Sequence, residues 1–227
     1  DLEFRDGAVS LKGAPDKRLT IAELANTAHY FRLDLPEDMD LTSGLDASYV
    51  YDHPVTTLPA EDNSHMGIFY PIMGHMCHIP VVEVDIETGK ISFLNYAAVH
   101  DCGTMINPMT LKGHVRGGVV NGIGSAVLEH YHYDESGQLD NALFTDYLLP
   151  STLESPDDIK VGHVVTPSPF TEYGVKGGGE GGRMGTPPAL AAAVEDALRP
   201  FGVKIDELPI SPNRLRRLIR EAQAEKS

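Results

Sequence analysis

A chain of 227 residues is long enough to bury a core and is expected to form one domain. Its 33 acidic side chains against 18 basic ones give a net charge of -15, which disfavours nucleic acid and anionic membrane surfaces as partners because both would repel it. No apolar run approaches the length of a membrane span, no signal-peptide pattern is present, and Cys77 and Cys102 lie in separate segments without suggesting a disulfide framework, so a reducing, cytoplasmic setting is the expectation.

In chain order, "LEFRDGAVSLKG" alternates around the turn pair Asp6-Gly7, as a hairpin does. "LTIAELANTAHYF" predicts a helix with Thr20 as N-cap and Glu23 as its capping-box partner. Residues 33–75, rich in Asp, Pro, Ser and Gly, read as a long loop region that is functional or covers a partner. His65, His75, Cys77 and His78 crowd together, but their spacing fits no standard zinc pattern. "CHIPVVEVDIETGKISFLNYAAVHDCG" gives two alternating runs joined at Glu87-Thr88-Gly89-Lys90, a meander hairpin. At its end, His100 and Cys102 could pass for a catalytic pair; a buried thiol followed by a structural turn at Gly103 is the preferred reading.

Asn107-Pro108 then opens a helix expected to run to about Tyr131. Its glycines at 113, 117, 118, 122 and 124 each cost up to ~1 kcal/mol relative to Ala, a cost tolerated where another backbone or a ligand must come close. Gly118 and Gly122 share one helix face. "HYHYDESGQLDNALFTDYLLPS" predicts strand, turn and strand, and "IKVGHVVTP" a further strand. Thr186-Pro187-Pro188 is expected to start a helix running to Leu198, and Ser211-Pro212 a last one. Meander strands with packed helices and no strict βαβ alternation favour the α+β class.

Between the last strand and the Thr186 helix lies "GGGEGG", five glycines around the single carboxylate of Glu180. It satisfies G-x-G-x-x-G, but "FTEYGVK" is no buried parallel strand and the expected helix opens late, so a dinucleotide-binding turn is disfavoured. So many glycines are too costly in chain entropy for a simple turn. The loop reads as backbone that must approach something closely while presenting Glu180. A carboxylate in such a glycine-walled, poorly solvated place should be raised toward ~6–7, the range useful to a general base. Lys176 stands open between an anion clamp and a solvated loop residue.

"GVKGGGEGGRMGTPPALAAAVEDAL", with "DLEFRDGAVSLKG", "VVEVDIETGKISFLNYAAVHDCGTMINP", "LKGHVRGGVVNGIGSAVLEHYHYDESGQL" and "FTDYLLPSTLESPDDIKVGHVVTPSPFTEYGVKGGGEGG" in that order, resembles the C-terminal part of the molybdenum-binding large subunit of the xanthine dehydrogenase and aldehyde oxidase family, the molybdenum hydroxylases. The resemblance implies mixed sheets packed with helices, forming the C-terminal half of a molybdopterin-binding domain. It also implies a molybdenum cofactor held through a pterin, in dinucleotide form, with no protein side chain on the metal.

Carried over by position, Glu180 is the catalytic base, and Lys176, Gly177, Gly178, Gly179 and Gly181 belong to the cofactor loop. Gly117, Gly118, Asn121 and Gly122 would lie against the pterin, and the resemblance implies that His65, His75, Cys77 and His78 line a pocket or a subunit contact. Asn121 stands where the family often has Gln, and His114-Val115-Arg116-Gly117 where it often has Gln-x-Glu-Gly, so a direct contact from the shorter Asn121 is in doubt.

The family implies oxidation of an aldehyde, N-heteroaromatic or similar small molecule with water-derived oxygen. Electrons would leave through [2Fe-2S] clusters and FAD on partner subunits. Because the family's upstream cofactor loops are absent from the sequence, residues 1–227 read as a split subunit or fragment whose companion chain carries the N-terminal part. The rival reading is a non-catalytic interaction subunit that supports the molybdenum subunit.

Overall fold

The computed structural model describes residues 1–30, 45–51, 53, 55–61, 66–68, 70 and 72–224. The chain, read from sequence as one domain, divides into two compact units, Asp1–Thr57 and Leu58–Ser227.

In the first unit, β1 (Leu2–Arg5) and β2 (Ala8–Leu11) pair antiparallel with Phe4 opposite Val9. Asp6 and Gly7 both take positive φ, 50° and 71°, as a two-residue primed turn demands. A third strand, β3 (Ala14–Thr20), adds to β2; the sequence reading lacked it because "APDKRLT" carries a proline and three charges and no apolar alternation. Helix α1 (Ile21–His29) starts at the expected capping box: the Thr20 hydroxyl accepts from the Glu23 amide at 3.2 Å, and the Glu23 carboxylate accepts from the Thr20 amide at 2.8 Å. Just under half of the predicted loop of 33–75 lies outside the described residues; its described members before His75 contain no helix or strand.

The second unit is built on a mixed sheet of order β4-β5-β6. β4 (His75–Val84) and β5 (Ile91–Asp101) form the predicted hairpin, with the Asp85 carboxylate accepting the Glu87 amide at 2.8 Å in the turn. Pro80 is tolerated in β4 because that strand is an edge. β6 (Ile159–His163) runs parallel to β5 on its other side.

Helix α2 (Pro108–Ile123) is capped by Asn107, whose side-chain oxygen accepts from the Thr110 amide at 3.1 Å. Val115, Val119 and Ile123, one turn apart, press onto Tyr96, Ala98 and Ile159 of the sheet. The helix continues only as a π-helical turn, Gly124–Leu128, and so stops short of Tyr131. Beyond it, the predicted strand pair reduces to one bridge, Tyr133 with Leu139. Side chains take the amides a ladder would have used: Asp134 accepts from Ser136 and Gln138, and Asn141 from His132.

The largest correction concerns α3. It spans Gly181–Ala197 and opens directly on the glycine loop, not at Thr186. Its first helical bond runs from the Met184 amide to the Glu180 carbonyl at 2.9 Å. Pro187 and Pro188 therefore sit inside the helix and forfeit two amide donors, and the Thr186 hydroxyl instead donates to the Gly182 carbonyl at 2.8 Å.

Packing outweighs the proline signal. α2 and α3 approach so closely that a Cβ on Gly118 would lie 2.9 Å from the Gly182 Cα, and one on Gly122 would lie 2.5 Å from the Thr186 Cβ. Further along α3, Leu190, Val194 and Leu198 meet Leu215 and Ile219 of α4 (Pro212–Ala224), the helix predicted from Ser211-Pro212.

Gly122→Ala is expected to lose stability despite its better helix propensity, because overpacking costs about 1–3 kcal/mol. Gly113→Ala, at a position with nothing within 4 Å of the added Cβ, is expected to gain up to ~1 kcal/mol. Denaturant midpoints of the two variants check this; equal midpoints would mean the helices are not in tight contact.

Candidate functional site at the glycine loop

The chain reaches the loop through a 3-10 turn, Glu172–Gly174, and a single antiparallel bridge between Val175 and Gly103. No parallel strand leads in, so the dinucleotide turn stays disfavoured, although the helix opens on the glycines and not late as the sequence suggested.

The glycines divide into two groups. A Cβ on Gly178 would press on the Cys102 Cβ at 3.1 Å, one on Gly181 on the His100 ring at 2.7 Å, and one on Gly182 on the Val115 carbonyl at 2.5 Å. Close packing within the chain explains these three. A Cβ on Gly177 or Gly179 would meet nothing within 4 Å among the described residues, while the Gly177 carbonyl itself packs against Gly74, where a Cβ would lie 2.4 Å from it. The Glu180 side chain is itself exposed, so this chain does not build the poorly solvated surroundings expected from sequence. The reason is geometric: the loop turns its packed glycines inward and leaves Gly177, Gly179 and Glu180 facing out.

On α2 the face toward α3 is filled, which assigns Gly118 and Gly122 to helix packing. The adjacent face carries Gly113, Gly117 and Asn121 at four-residue spacing, all exposed, with open space at both glycines. Of the α2 residues expected to meet a cofactor, Gly117 and Asn121 are accessible.

Lys176 is neither a solvated loop residue nor a free anion clamp. Its ammonium donates to Asp101 at 3.1 Å and to the Thr166 hydroxyl at 2.6 Å, with both charged side chains nearly buried. Asp101 also accepts from the Thr166 hydroxyl and from the Gly103 amide at 2.9 Å. The Thr166 hydroxyl and the Gly103 amide, with Lys176 behind them, hold its carboxyl far below the usual range. This pair ties the end of β5 to the entry of the glycine loop. Next to it a cavity of about 280 Å³ is lined by Cys102, Asn107, Leu111, His114, Lys176 and Gly178. Burial pushes the Cys102 thiol up, so it stays protonated and is no nucleophile, in line with the buried-thiol reading.

Behind the loop lies a polar cluster that sequence reasoning missed. His78 Nε2 is 3.0 Å from His100 Nε2, His78 Nδ1 is 3.0 Å from the Tyr96 hydroxyl, and that hydroxyl is 2.9 Å from Thr186 Oγ1. The pleat offered a signal, since Tyr96, Ala98 and His100 alternate onto one face of β5. The partner residues, however, come from 18 to 90 positions away, beyond local pattern. His78, expected in a pocket or subunit contact, instead joins this interior group. Among the described residues no three His, Cys, Asp or Glu side chains gather as metal ligands; His65 lies outside them.

Burial, and secondarily His100, lowers His78 from 6.5 to about 4, and burial lowers His100 as well. Tyr96 is pushed up to about 12 by the same desolvation. Because the folded state resists protonating His78, the unfolded chain binds more protons between these values. Stability is therefore expected to fall as pH drops from 6.5 towards 4. His78→Gln should flatten that slope in pH-dependent denaturation; an unchanged slope would place the acid sensitivity elsewhere.

Known proteins bear on these features. Residues 1–156 match the molybdopterin cofactor-binding domain. The nicotine 6-hydroxylase large subunit of Paenarthrobacter nicotinovorans is 36% identical over 215 residues, 95% of this chain and 24% of that protein. The carbon monoxide dehydrogenase large chain of Afipia carboxidovorans is 34% identical over 87% of this chain and 22% of its own length. The crystal structure of quinoline 2-oxidoreductase from Pseudomonas putida 86 superposes with a TM-score of 0.69 at 37% identity, over 97% of this chain and 26% of that one. The chain spans about a quarter of the length of these relatives. Its mixed sheet and packed helices are thus those of a molybdenum hydroxylase large subunit, and the chain belongs to the molybdopterin cofactor-binding domain family.

Proposed function

We propose that this chain forms the base-bearing part of the active-site subunit of a molybdenum hydroxylase, with Glu180 as general base. The observation that carries the reading is local: Glu180 stands at the N-cap position of α3 with an exposed side chain, and a Cβ added at Gly177 or Gly179 would meet nothing within 4 Å among the described residues. A bulky pterin can approach such a ledge, and Gly117 and Asn121 offer a second open backbone and an amide. Gly118, Gly122, Gly178 and Gly181 then act on the cofactor only through the packing that shapes the ledge. When bound, the molybdenum cofactor, in dinucleotide form, supplies the redox centre that takes up the substrate's electrons.

Glu180 takes the proton from water-derived oxygen as that oxygen is delivered to an electrophilic carbon. Cover from a companion chain carrying the N-terminal part of the subunit would supply the low dielectric that raises a carboxylate toward a useful range. The substrate is a small molecule of the N-heteroaromatic or aldehyde type; the names nicotine 6-hydroxylase and quinoline 2-oxidoreductase support the heteroaromatic class. Electrons leave to [2Fe-2S] and FAD subunits; the "large subunit" in the first relative's name supports an assembly of several chains. A cytoplasmic setting suits this chemistry, and among the described residues no helix is long and apolar enough to cross a membrane.

In the assembled protein, Glu180→Gln is expected to lower turnover by about 10²–10⁴-fold while molybdenum content stays normal. Unchanged turnover rejects the base and favours a non-catalytic interaction subunit.

A further inference from the structure

The buried cluster behind the loop has a direction. Thr186 Oγ1 donates its proton to the Gly182 carbonyl at 2.8 Å, as a helical hydroxyl does to the residue four before it. It can then only accept, and the groups in reach are the Tyr96 hydroxyl at 2.9 Å and His78 Nδ1 at 3.3 Å. With its proton committed to Thr186, Tyr96 must accept at its oxygen, and the donor in reach is His78 Nδ1–H at 3.0 Å. A neutral His78 protonated at Nδ1 has a bare Nε2, so the 3.0 Å contact to His100 requires a proton on His100 Nε2.

We propose that His100 and His78 are positioning residues for Glu180. A one-way chain of neutral hydrogen bonds, His100 to His78 to Tyr96 to Thr186 to the Gly182 carbonyl, locks the first turn of α3 and so fixes the residue that caps it. Three observations support the assignment besides the donor count. The His100 ring packs against Gly181, next to Glu180, where a Cβ would lie 2.7 Å from Nδ1. The His78 ring packs against Gly185, where a Cβ would lie 2.8 Å away. Both glycines are therefore needed for the imidazoles to lie under the helix start. Finally, burial and then His163 of β6 oppose a positive charge on His100, and burial and then His100 oppose one on His78. The catalytic consequence rests on the reading of Glu180 as base; the hydrogen-bond chain does not.

The test uses the assembled protein with labelled histidines. Imidazole nitrogen shifts at neutral pH are expected to show His78 protonated at Nδ1 alone and His100 at Nε2 alone. A proton on His78 Nε2, or a doubly protonated ring, would overturn the chain. Hydrogen exchange at the Met184 amide, which closes the first turn on the Glu180 carbonyl, supplies a second readout. His100→Leu removes the terminal donor and should speed that exchange by about five-fold, the worth of one net hydrogen bond. His100→Gln keeps an N–H donor at the same reach and should restore slow exchange. Equal exchange in the Leu variant and the native protein, or no restoration by Gln, would overturn the positioning role. The base reading fails or stands separately, on the turnover of Glu180→Gln.

Discussion

The closeness of α2 to α3 is the constraint on which the rest depends. Gly118 and Gly122 on one helix, and Gly182 on the other, let backbone lie on backbone where any Cβ would intrude. That contact explains why a helix can start on glycines and run through two prolines. The second unit loses propensity and two amide donors in α3, and offsets them in burial of Val115 and Val119 against the sheet and of Leu190 and Val194 against α4. Glu180 is exposed only because the residues just after it are pulled inward.

Two polar devices finish the placement. Asp101 and Lys176 join the end of β5 to the strand-like entry of the loop, and the Val175–Gly103 bridge runs alongside them. On the other side of the loop, His78, His100, Tyr96 and Thr186 join the sheet to the first turn of α3. Buried polar groups of this kind are costly unless their hydrogen-bonding capacity is used. Here each donor in the second cluster has an acceptor, and desolvation keeps the imidazoles uncharged. The glycine loop is thereby held from both flanks while its outer edge stays open.

Much of this was legible in the sequence. The Asp6-Gly7 hairpin, the Thr20 capping box, the β4–β5 meander and the Asn107 cap are local signals, and each appears where its residues stand. The start of α3 was misread because Thr-Pro-Pro is a strong local N-terminus signal, whereas the glycine contacts that extend the helix backwards are tertiary. Lys176 was misjudged for a related reason: its carboxylate lies 75 residues away, at the end of a strand. The same holds for Gly118 and Gly122. Their spacing announced that something must come close, and no sequence rule distinguishes a helix from a cofactor. Of the glycines expected to meet the cofactor, Gly117, Gly177 and Gly179 have room for a Cβ, and for these the family resemblance supplies the better reason.

The central claim is that the packed glycines and their polar supports hold Glu180 at the face where a pterin-bound molybdenum sits. A structure of the complete, cofactor-loaded protein tests it most directly. The account predicts the Glu180 carboxylate turned toward the metal, with the cofactor lying over Gly177 and Gly179. A carboxylate pointing into bulk solvent, or a metal bound on another face of the chain, would contradict it.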